Sequence, residues 1–262
     1  MTSASLRVPI GIDERGAAVA IDLTAHSLVA GVTGSGKSSI MFSVLAEAYR
    51  RPNVRVCGAD PSAITLSPFV RSSGWIALGT ESVEESLAVM RRVVTEMDKR
   101  TAALGIAGTD LIPLEWLDGE TPLLLTVLEE YAALQRAASK SQLTELEQLV
   151  ARIAAEGRKA RIALLIAIQR PEARLLDGVR SQLAQVISMA QRDLASIRMA
   201  SETLAADPIA SKRVLELKPG QGVVVGEAIT FFKGYYLNYP SFRAAVNRSL
   251  EAAATHTLSS SP

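Results

Sequence analysis

The stretch of sequence that decides the fold is Gly31-Val32-Thr33-Gly34-Ser35-Gly36-Lys37-Ser38. Its glycines, lysine and serine have the spacing of a phosphate-binding loop, in which backbone N–H groups wrap phosphates without obstruction by side chains. Lys37 is expected to reach the β- and γ-phosphates, and the Ser38 hydroxyl is expected to bind Mg²⁺. We add the following residue, Ser39, to the predicted nucleotide-binding set. The stretch therefore predicts a site for ATP with Mg²⁺.

The residues on either side of this loop supply the strand and helix that such a loop requires. Residues 27–30 form a short apolar run that predicts a strand. Residues 37–49 have apolar side chains three or four positions apart and end before Pro52, which predicts a helix. The amino end of that helix would add favourable partial positive charge near bound phosphates.

The rest of the chain alternates short apolar runs with longer stretches of helical spacing. This alternation predicts an α/β fold with a mostly parallel sheet covered by helices on both faces. The predicted strands are residues 8–10, 18–21, 27–30, 54–58, 75–78, 123–128, 162–168 and 185–189, with a late hairpin of 223–225 and 229–236. The predicted helices are 37–49, 82–104, 143–155 and 194–201. With 262 residues, we expect a single domain over residues 1–251 and a flexible tail over 252–262.

The composition excludes few classes of protein. The hydrophobic share of 48% and the charged share of 21% are typical of a folded domain, and the net charge of +1 neither supports nor excludes nucleic acid as a partner. The longest apolar runs are too short for a transmembrane helix, and no secretory signal is evident at the start. We expect a cytoplasmic protein in which the single cysteine, Cys57, is a buried core residue.

Two adjacent carboxylates, Glu129 and Glu130, follow the predicted strand of residues 123–128. The end of a buried strand is where the metal and the attacking water lie in phosphate-loop ATPases. We assign Glu129 to the Mg²⁺ shell and Glu130 to the polarisation of water. The alternative is that both carboxylates only begin a solvated helix.

Gln169 and Arg158 are further candidates for catalysis. Gln169 ends the strand of residues 162–168 and could sense the γ-phosphate or position water, although an amide there could equally anchor a loop. Arg158 lies beyond the predicted helix of residues 143–155, where a basic residue is most simply part of a solvated helix end. His26 has no partner with metal-ligand spacing, so we interpret it as structural.

These residues together resemble the motor domain of the FtsK/SpoIIIE family of DNA translocases, especially conjugative Tra-type proteins of actinobacteria. The resemblance covers roughly residues 8–225. The matching motifs are Pro9-Ile10-Gly11-Ile12-Asp13, the phosphate loop with its preceding strand, Asp60-Pro61-Ser62, Met97-Asp98-Lys99-Arg100, Leu128-Glu129-Glu130-Tyr131-Ala132, Gly157-Arg158-Lys159-Ala160-Arg161-Ile162, Ala167-Ile168-Gln169-Arg170-Pro171 and Leu217-Lys218-Pro219-Gly220-Gln221-Gly222.

The resemblance implies a RecA-like ATPase that acts as a ring of six subunits around double-stranded DNA. It places Arg158 at the position of a finger arginine that enters the neighbouring subunit's site. Glu129 departs from the aspartate of most relatives, and Ser62 stands where many have lysine. Long members of the family also carry membrane helices and a winged-helix domain that reads DNA sequence, which we do not expect within this chain. Membrane tethering and sequence-specific loading would therefore need partners, such as a membrane-anchored protein, or be absent.

The leading hypothesis is therefore an ATP-driven motor for double-stranded DNA, in conjugative transfer or in segregation. A second hypothesis is a coupling ATPase for type VII protein secretion, since ring ATPases of that kind share the same motifs. A third is a nucleotide-gated binding module with little turnover, which the Glu129 departure suggests.

Overall fold

The computed structural model describes residues 6–169 and 176–259. Ten strands in this part of the chain form one sheet, in the order β2-β1-β10-β9-β8-β3-β7-β6-β4-β5. The strands are β1 (Arg7–Ile12), β2 (Ala18–Asp22), β3 (Ser27–Ala30), β4 (Val54–Asp60), β5 (Ile76–Leu78), β6 (Leu123–Leu128), β7 (Ile162–Ile168), β8 (Gln185–Met189), β9 (Gln221–Val225) and β10 (Ile229–Gly234).

Six neighbouring strands, from β8 through β3, β7, β6 and β4 to β5, are parallel. Every residue of β3, β6 and β7 is buried, as expected for strands that helices cover on both faces. Because these strands run in one direction, their carboxyl ends meet at one edge of the sheet. This edge, which we call the carboxyl edge, carries the phosphate-binding loop that follows β3.

The remaining four strands extend the sheet in antiparallel fashion. Strand β9 pairs antiparallel with β8, and β10 pairs antiparallel with β9, as the predicted hairpin requires. Two reversals give β10 the same direction as β3, so the chain also leaves β10 at the carboxyl edge. Strands β1 and β2 complete this side of the sheet.

Helices cover both faces, as predicted. The helices are α1 (Lys37–Tyr49), α2 (Val70–Ser73), α3 (Val83–Ala107), α4 (Tyr131–Ala137), α5 (Lys140–Glu156), α6 (Leu194–Ala200), α7 (Glu202–Ala206), α8 (Pro208–Leu215) and α9 (Tyr239–Ser259). Helices α1 and α9 pack on one face, whereas α3, α5 and α6 to α8 pack on the other. Ser82 caps α3, and Ser139 forms a capping box with Gln142 at the start of α5.

The last helix differs from the flexible tail that the sequence predicts from residue 252. Helix α9 begins at Tyr239 and its backbone continues to Ser259. Phe242 is fully buried and stacks on Phe42 of α1 with ring centroids 4.6 Å apart, so packing fixes the start of the helix. The alanines at 252–254 favour its continuation. Residues 260–262 lie outside the described part.

Two other differences are smaller. Helix α3 continues to Ala107, into the stretch of residues 105–121 that the sequence predicts as a loop. Helices α2, α4, α7 and α8 are short and were not predicted. Across residues 6–169 and 176–259, no helix combines the length and the apolar character needed to span a membrane.

Candidate active site

The phosphate-binding loop depends on glycine at two positions. Gly34 and Gly36 have φ angles of 81° and 101°, in the left-handed region that side chains disfavour. A Cβ added to Gly36 would lie 2.9 Å from the backbone nitrogen of Gly220, which itself donates a hydrogen bond to the Ser35 carbonyl at 2.8 Å. The turn before β9 therefore supports the loop from beneath and leaves no room for a side chain.

Backbone hydrogen bonds also hold the loop between the ends of two neighbouring strands. The N–H of Gly31 donates to the carbonyl of Ile168 at the end of β7, at 3.3 Å. The N–H of Val32 donates to the carbonyl of Ala190, just beyond β8, at 3.0 Å. These bonds place the loop over the carboxyl edge, where residues that follow β6, β7 and β8 can face it.

Lys37 lies between the two predicted catalytic carboxylates. Its Nζ is 3.6 Å from Oε1 of Glu129 and 3.4 Å from Oε2 of Glu130. Lys37 and Glu129 are buried, and Glu130 has a φ of 44°, which is unusual for a residue with a side chain and costs free energy. The structure thus brings together three side chains that the sequence predicted to share a site, and the solvated-helix alternative is wrong for Glu129, which is 5% exposed.

The environment of Glu129 favours its neutral form. The pKa of this carboxyl group is raised to about 7, chiefly by burial; Lys37 lowers the pKa, and the negative charges of Asp60 and Glu130 raise it. Its Oε2 is buried and has no hydrogen-bond partner among the residues that the structure describes. This oxygen is therefore available to a partner outside the protein, such as water or an ion.

The surroundings of Glu129 fit Mg²⁺. The ion prefers oxygen ligands and usually takes one or two carboxylates together with substrate phosphates. The unpaired Glu129 oxygen and the exposed hydroxyl of Ser38 offer ligands of this kind. Within the described residues there is no group of three acidic, histidine or cysteine side chains that would hold a metal without help from a phosphate.

Asp60 is a site residue that the sequence analysis quoted in a motif without assigning it a role. It ends β4 and is fully buried beside Glu129. Its carboxylate accepts hydrogen bonds from the Ser62 N–H at 2.9 Å, the Ser62 hydroxyl at 2.6 Å and the Leu66 N–H at 2.9 Å. The signal for this residue was the same as for Glu129, an acidic residue at the end of an apolar strand.

Gln169 also lies at the loop. Its Oε1 accepts a hydrogen bond from the Thr33 hydroxyl at 3.1 Å, so the side chain contacts the loop directly. Both residues line a cavity of about 310 Å³ together with Val32 and Arg192. Arg192 follows β8, and nothing in its sequence context singled it out. The next two residues of the quoted motif, Arg170 and Pro171, lie outside the described residues.

The side chain of Ser39 is engaged within the protein. Its hydroxyl donates to the Tyr235 carbonyl at 3.1 Å and accepts from the Leu237 N–H at 2.7 Å. The predicted contribution of Ser39 to nucleotide binding would therefore come through its main chain. The hydroxyl instead attaches the segment that follows β10 to the start of α1.

Arg158 lies at the opposite edge of the sheet. It precedes β7, whereas the loop contacts the far end of that strand at Ile168. A strand of seven residues is about 20 Å long at roughly 3.3 Å per residue, too far for the guanidinium to reach its own loop. The side chain is exposed and donates no hydrogen bond within the described part of the chain.

His26 and Cys57 have the structural surroundings that the sequence predicts. Nδ1 of His26 accepts a hydrogen bond from the Leu164 N–H at 2.9 Å, and burial, with a smaller contribution from Arg158, lowers the pKa of His26 to about 4. Cys57 is fully buried, and burial raises the pKa of its thiol to about 11. Neither residue contacts the loop.

The sequence of residues 2–114, which includes the loop and Asp60, matches the FtsK/SpoIIIE family. Over these residues the chain is similar to the FtsK/SpoIIIE family. It is similar to the DNA translocase SftA of Bacillus subtilis (strain 168), with 30% identity over 186 residues, which cover 66% of this chain and 19% of SftA. The chain spans about a fifth to a quarter of the length of the curated relatives it matches.

Solved structures of similar fold confirm the predicted α/β fold with a mostly parallel sheet and helices on both faces. One similar structure is the pCW3 conjugation coupling protein TcpA in monomer form with ATPγS, with a TM-score of 0.75, 20% identity and coverage of 95% of this chain and 71% of TcpA. Another is the cytoplasmic domain of the type VII secretion ATPase EccC of Thermomonospora curvata, with a TM-score of 0.69, 24% identity and coverage of 94% and 31%. At these identities the likeness establishes the fold.

Proposed function

We propose that this chain is an ATP hydrolase that moves double-stranded DNA, as the motor part of an FtsK/SpoIIIE-type translocase. The observation that carries the proposal is the position of Lys37 between Glu129 and Glu130 beside the phosphate-binding loop. Phosphoryl transfer needs a cation on the β- and γ-phosphates, a metal ligand and a group that orients water, and these three side chains supply all of them.

Each residue has a distinct task in this proposal. Lys37 binds the β- and γ-phosphates in place of the carboxylates that it now contacts. Ser38 and Glu129 would hold Mg²⁺, which neutralises developing phosphate charge when it is bound. Glu130 accepts a hydrogen bond from the attacking water and takes its proton as the water adds to the γ-phosphorus and ADP leaves. The amide of Gln169, held by Thr33, reports whether the γ-phosphate is present.

A second subunit completes the site. Arg158 lies at the amino edge of the sheet, too far from its own loop, and its side chain is free to contact a neighbour. In the proposed homo-hexamer, the Arg158 of one subunit stabilises the transition-state charge at the loop of the next. Hydrolysis then depends on assembly, and the ring would enclose the duplex.

The DNA would be bound through its phosphates, so binding should be largely blind to sequence and should weaken as salt rises. The names of relatives such as SftA support DNA as the substrate, because they describe DNA translocases. The likeness to TcpA is compatible with a role in conjugation.

A second candidate function is coupling to protein secretion, which the likeness to EccC favours. The same site would then drive the movement of a polypeptide. A weakly hydrolysing nucleotide-gated module is a third, motivated by the near-neutral pKa of Glu129 and by the longer side chain at a position where relatives have aspartate.

The deciding experiment measures steady-state ATP hydrolysis with and without linear duplex DNA at low salt, together with the mass of the assembly with bound nucleotide. The DNA motor requires duplex DNA to raise turnover and the assembly to be a ring of six. ATP turnover that is the same with and without DNA would favour the secretion function. ATP binding without phosphate release would favour the gated module. Lys37→Ala is the control for contaminating hydrolase.

A further inference from the structure

Two adjacent tyrosines at the carboxyl edge have no role in the site described so far. Tyr235 and Tyr236 directly follow β10, and 43% and 84% of their surfaces are exposed. Each presents an aromatic face against which a flat ligand could pack. Their backbone is anchored at the phosphate-binding loop.

Five hydrogen bonds hold this segment in place. The Tyr235 N–H donates to the Ile10 carbonyl at 2.9 Å, and the two Ser39 bonds described above fix the residues on both sides of Tyr236. Just before it, the Gly234 N–H donates to the Gly220 carbonyl at 2.8 Å, and Gly220 in turn donates to Ser35 of the loop. The tyrosines are therefore exposed side chains on an anchored backbone. Hydrogen bonds attach this backbone directly to Ser39 and, through Gly220, to Ser35.

The order of the strands shows which end of a nucleotide would lie toward them. Glu129 and Glu130 follow β6, on one side of β3, and they mark the γ-phosphate end together with Lys37. Strand β10 lies on the other side of β3, beyond β8 and β9. A phosphate chain whose γ end points toward β6 has its α end, and hence its ribose and base, on the side of β10. The segment that follows β10 returns to Ser39, so the backbone of the two tyrosines lies on that side of the loop.

We propose that Tyr235 and Tyr236 form a stacking platform for the purine base of the bound nucleotide. This inference rests on the proposed function, because it assumes a nucleoside triphosphate in the loop. A tyrosine on an anchored backbone has few torsions left to order when a flat base stacks on its ring, and such stacking tolerates different bases because every base has a π-face. The platform would thus contribute affinity, while selection between adenine and guanine would need other contacts.

The test compares two ligands and two double variants of the full chain. Affinity for ATP and for inorganic tripolyphosphate, each with Mg²⁺, is measured by calorimetry. Replacing both tyrosines with alanine should weaken ATP and GTP binding about 5- to 150-fold, the range expected for loss of one base–aromatic stack. Tripolyphosphate binding should not change, because it has no base. Replacing both tyrosines with phenylalanine keeps the rings and should keep the ATP affinity.

Photoaffinity labelling gives a second readout that does not depend on affinity. Irradiation with 8-azido-ATP should modify the peptide that contains residues 235–236, and excess ATP should prevent the labelling. The inference is overturned if the alanine variant binds ATP as tightly as the unmodified chain, if it loses tripolyphosphate equally, or if labelling falls elsewhere. A loss confined to DNA-stimulated turnover would also overturn it and assign the tyrosines to DNA.

Failure of the proposed function has a different signature. The unmodified chain would then bind neither ATP nor tripolyphosphate, or would bind them without any effect of Lys37→Ala. The platform inference would fall with it. If instead the loop binds both ligands through Lys37 but the affinity for ATP is no higher than that for tripolyphosphate, only the platform inference is wrong.

Discussion

Lys37 and Arg158, which lie at opposite edges of the parallel sheet, differ in how completely their side chains are partnered. At the carboxyl edge, Lys37 contacts Glu129 and Glu130, and Asp60 accepts three hydrogen bonds close by. At the amino edge, Arg158 is exposed and its side chain makes no hydrogen bond with the described residues. The carboxyl edge therefore holds a preorganised cluster of charges. Arg158 at the amino edge is too far from the loop of its own subunit to contact it.

One subunit therefore has its nucleotide-binding loop and the carboxylates beside it at one edge, and an exposed arginine at the other. Preorganised charges at the carboxyl edge can bind phosphates without rearrangement of the fold. A guanidinium about one strand length away can act only on another molecule, or else merely ends helix α5 in solvent. The following experiments separate these readings.

The largest effect is expected at the carboxyl edge. Lys37→Ala should abolish ATP turnover, because it removes the cation on the β- and γ-phosphates. Phosphate release measures the activity, and circular dichroism checks the fold, since Glu129 and Glu130 lose their partner. Lys99→Ala, which changes an exposed lysine far from the loop, is the matched control. Near-normal hydrolysis by folded Lys37→Ala would show that the site is misassigned.

Arg158→Ala tests the amino edge. If Arg158 completes the neighbour's site, turnover should fall by about 10³ to 10⁵, the range for a finger arginine in other phosphate-transfer systems. Binding of ATP to one subunit should change little. Lys159→Ala, at the adjacent exposed position, should retain activity.

Mixing the two inactive variants tests whether Arg158 of one subunit acts at the Lys37 site of the next. Rings that contain both Lys37→Ala and Arg158→Ala subunits should recover part of the activity, because some interfaces pair an intact Lys37 with an intact Arg158. Turnover is measured across mixing ratios, with co-assembly shown by native mass spectrometry. If no ratio restores activity although the subunits co-assemble, Arg158 does not act across the interface.

Glu130→Gln should lower turnover by about 10² to 10⁴, the usual contribution of a general base. The amide keeps the shape of the side chain and can still accept a hydrogen bond from Lys37, so ATP affinity should stay close to normal. Single-turnover hydrolysis measures the chemical step, and Glu120→Gln, an exposed carboxylate, is the control. Full turnover by Glu130→Gln would leave Glu129 as the residue that orients water.

The smallest effect concerns stability at the amino edge, where His26 is buried. Its folded pKa of about 4 lies below the unfolded value of 6.5, so the unfolded chain binds the proton more readily between these values. The stability that the neutral ring contributes is present above pH 6.5 and is lost as pH falls toward 4, with a slope of at most about 1.4 kcal/mol per pH unit.

Urea denaturation at several pH values measures this contribution. His26→Asn keeps a hydrogen-bond acceptor near the Leu164 N–H and does not titrate. The difference in unfolding free energy between the two proteins should therefore change between pH 6.5 and 4 and level off above pH 6.5. A difference that is constant across this range would show that His26 does not take up a proton on unfolding.

Much of the fold followed from local sequence patterns. The bounds of α1, β6, β7 and β8 agree with prediction, because continuous apolar runs mark strands buried on both faces and a three-to-four spacing marks an amphipathic helix. The phosphate-binding loop of residues 31–38 could also be predicted from local sequence, because its glycines and its lysine have a fixed spacing. Glu129, Glu130 and Gln169 were found because each directly follows a predicted strand.

Long-range packing decided the rest. No local pattern pairs β10 with β1, brings the turn at Gly220 beneath Ser35, or attaches Ser39 to Tyr235 and Leu237, because these partners are between about 180 and 225 positions apart in the chain. Helix α9 starts where Phe242 packs against Phe42, and its backbone continues to Ser259. Above all, the sheet placed Lys37 with Glu129 and Glu130 at one edge and Arg158 at the other, because parallel strands align all their carboxyl ends on the same side.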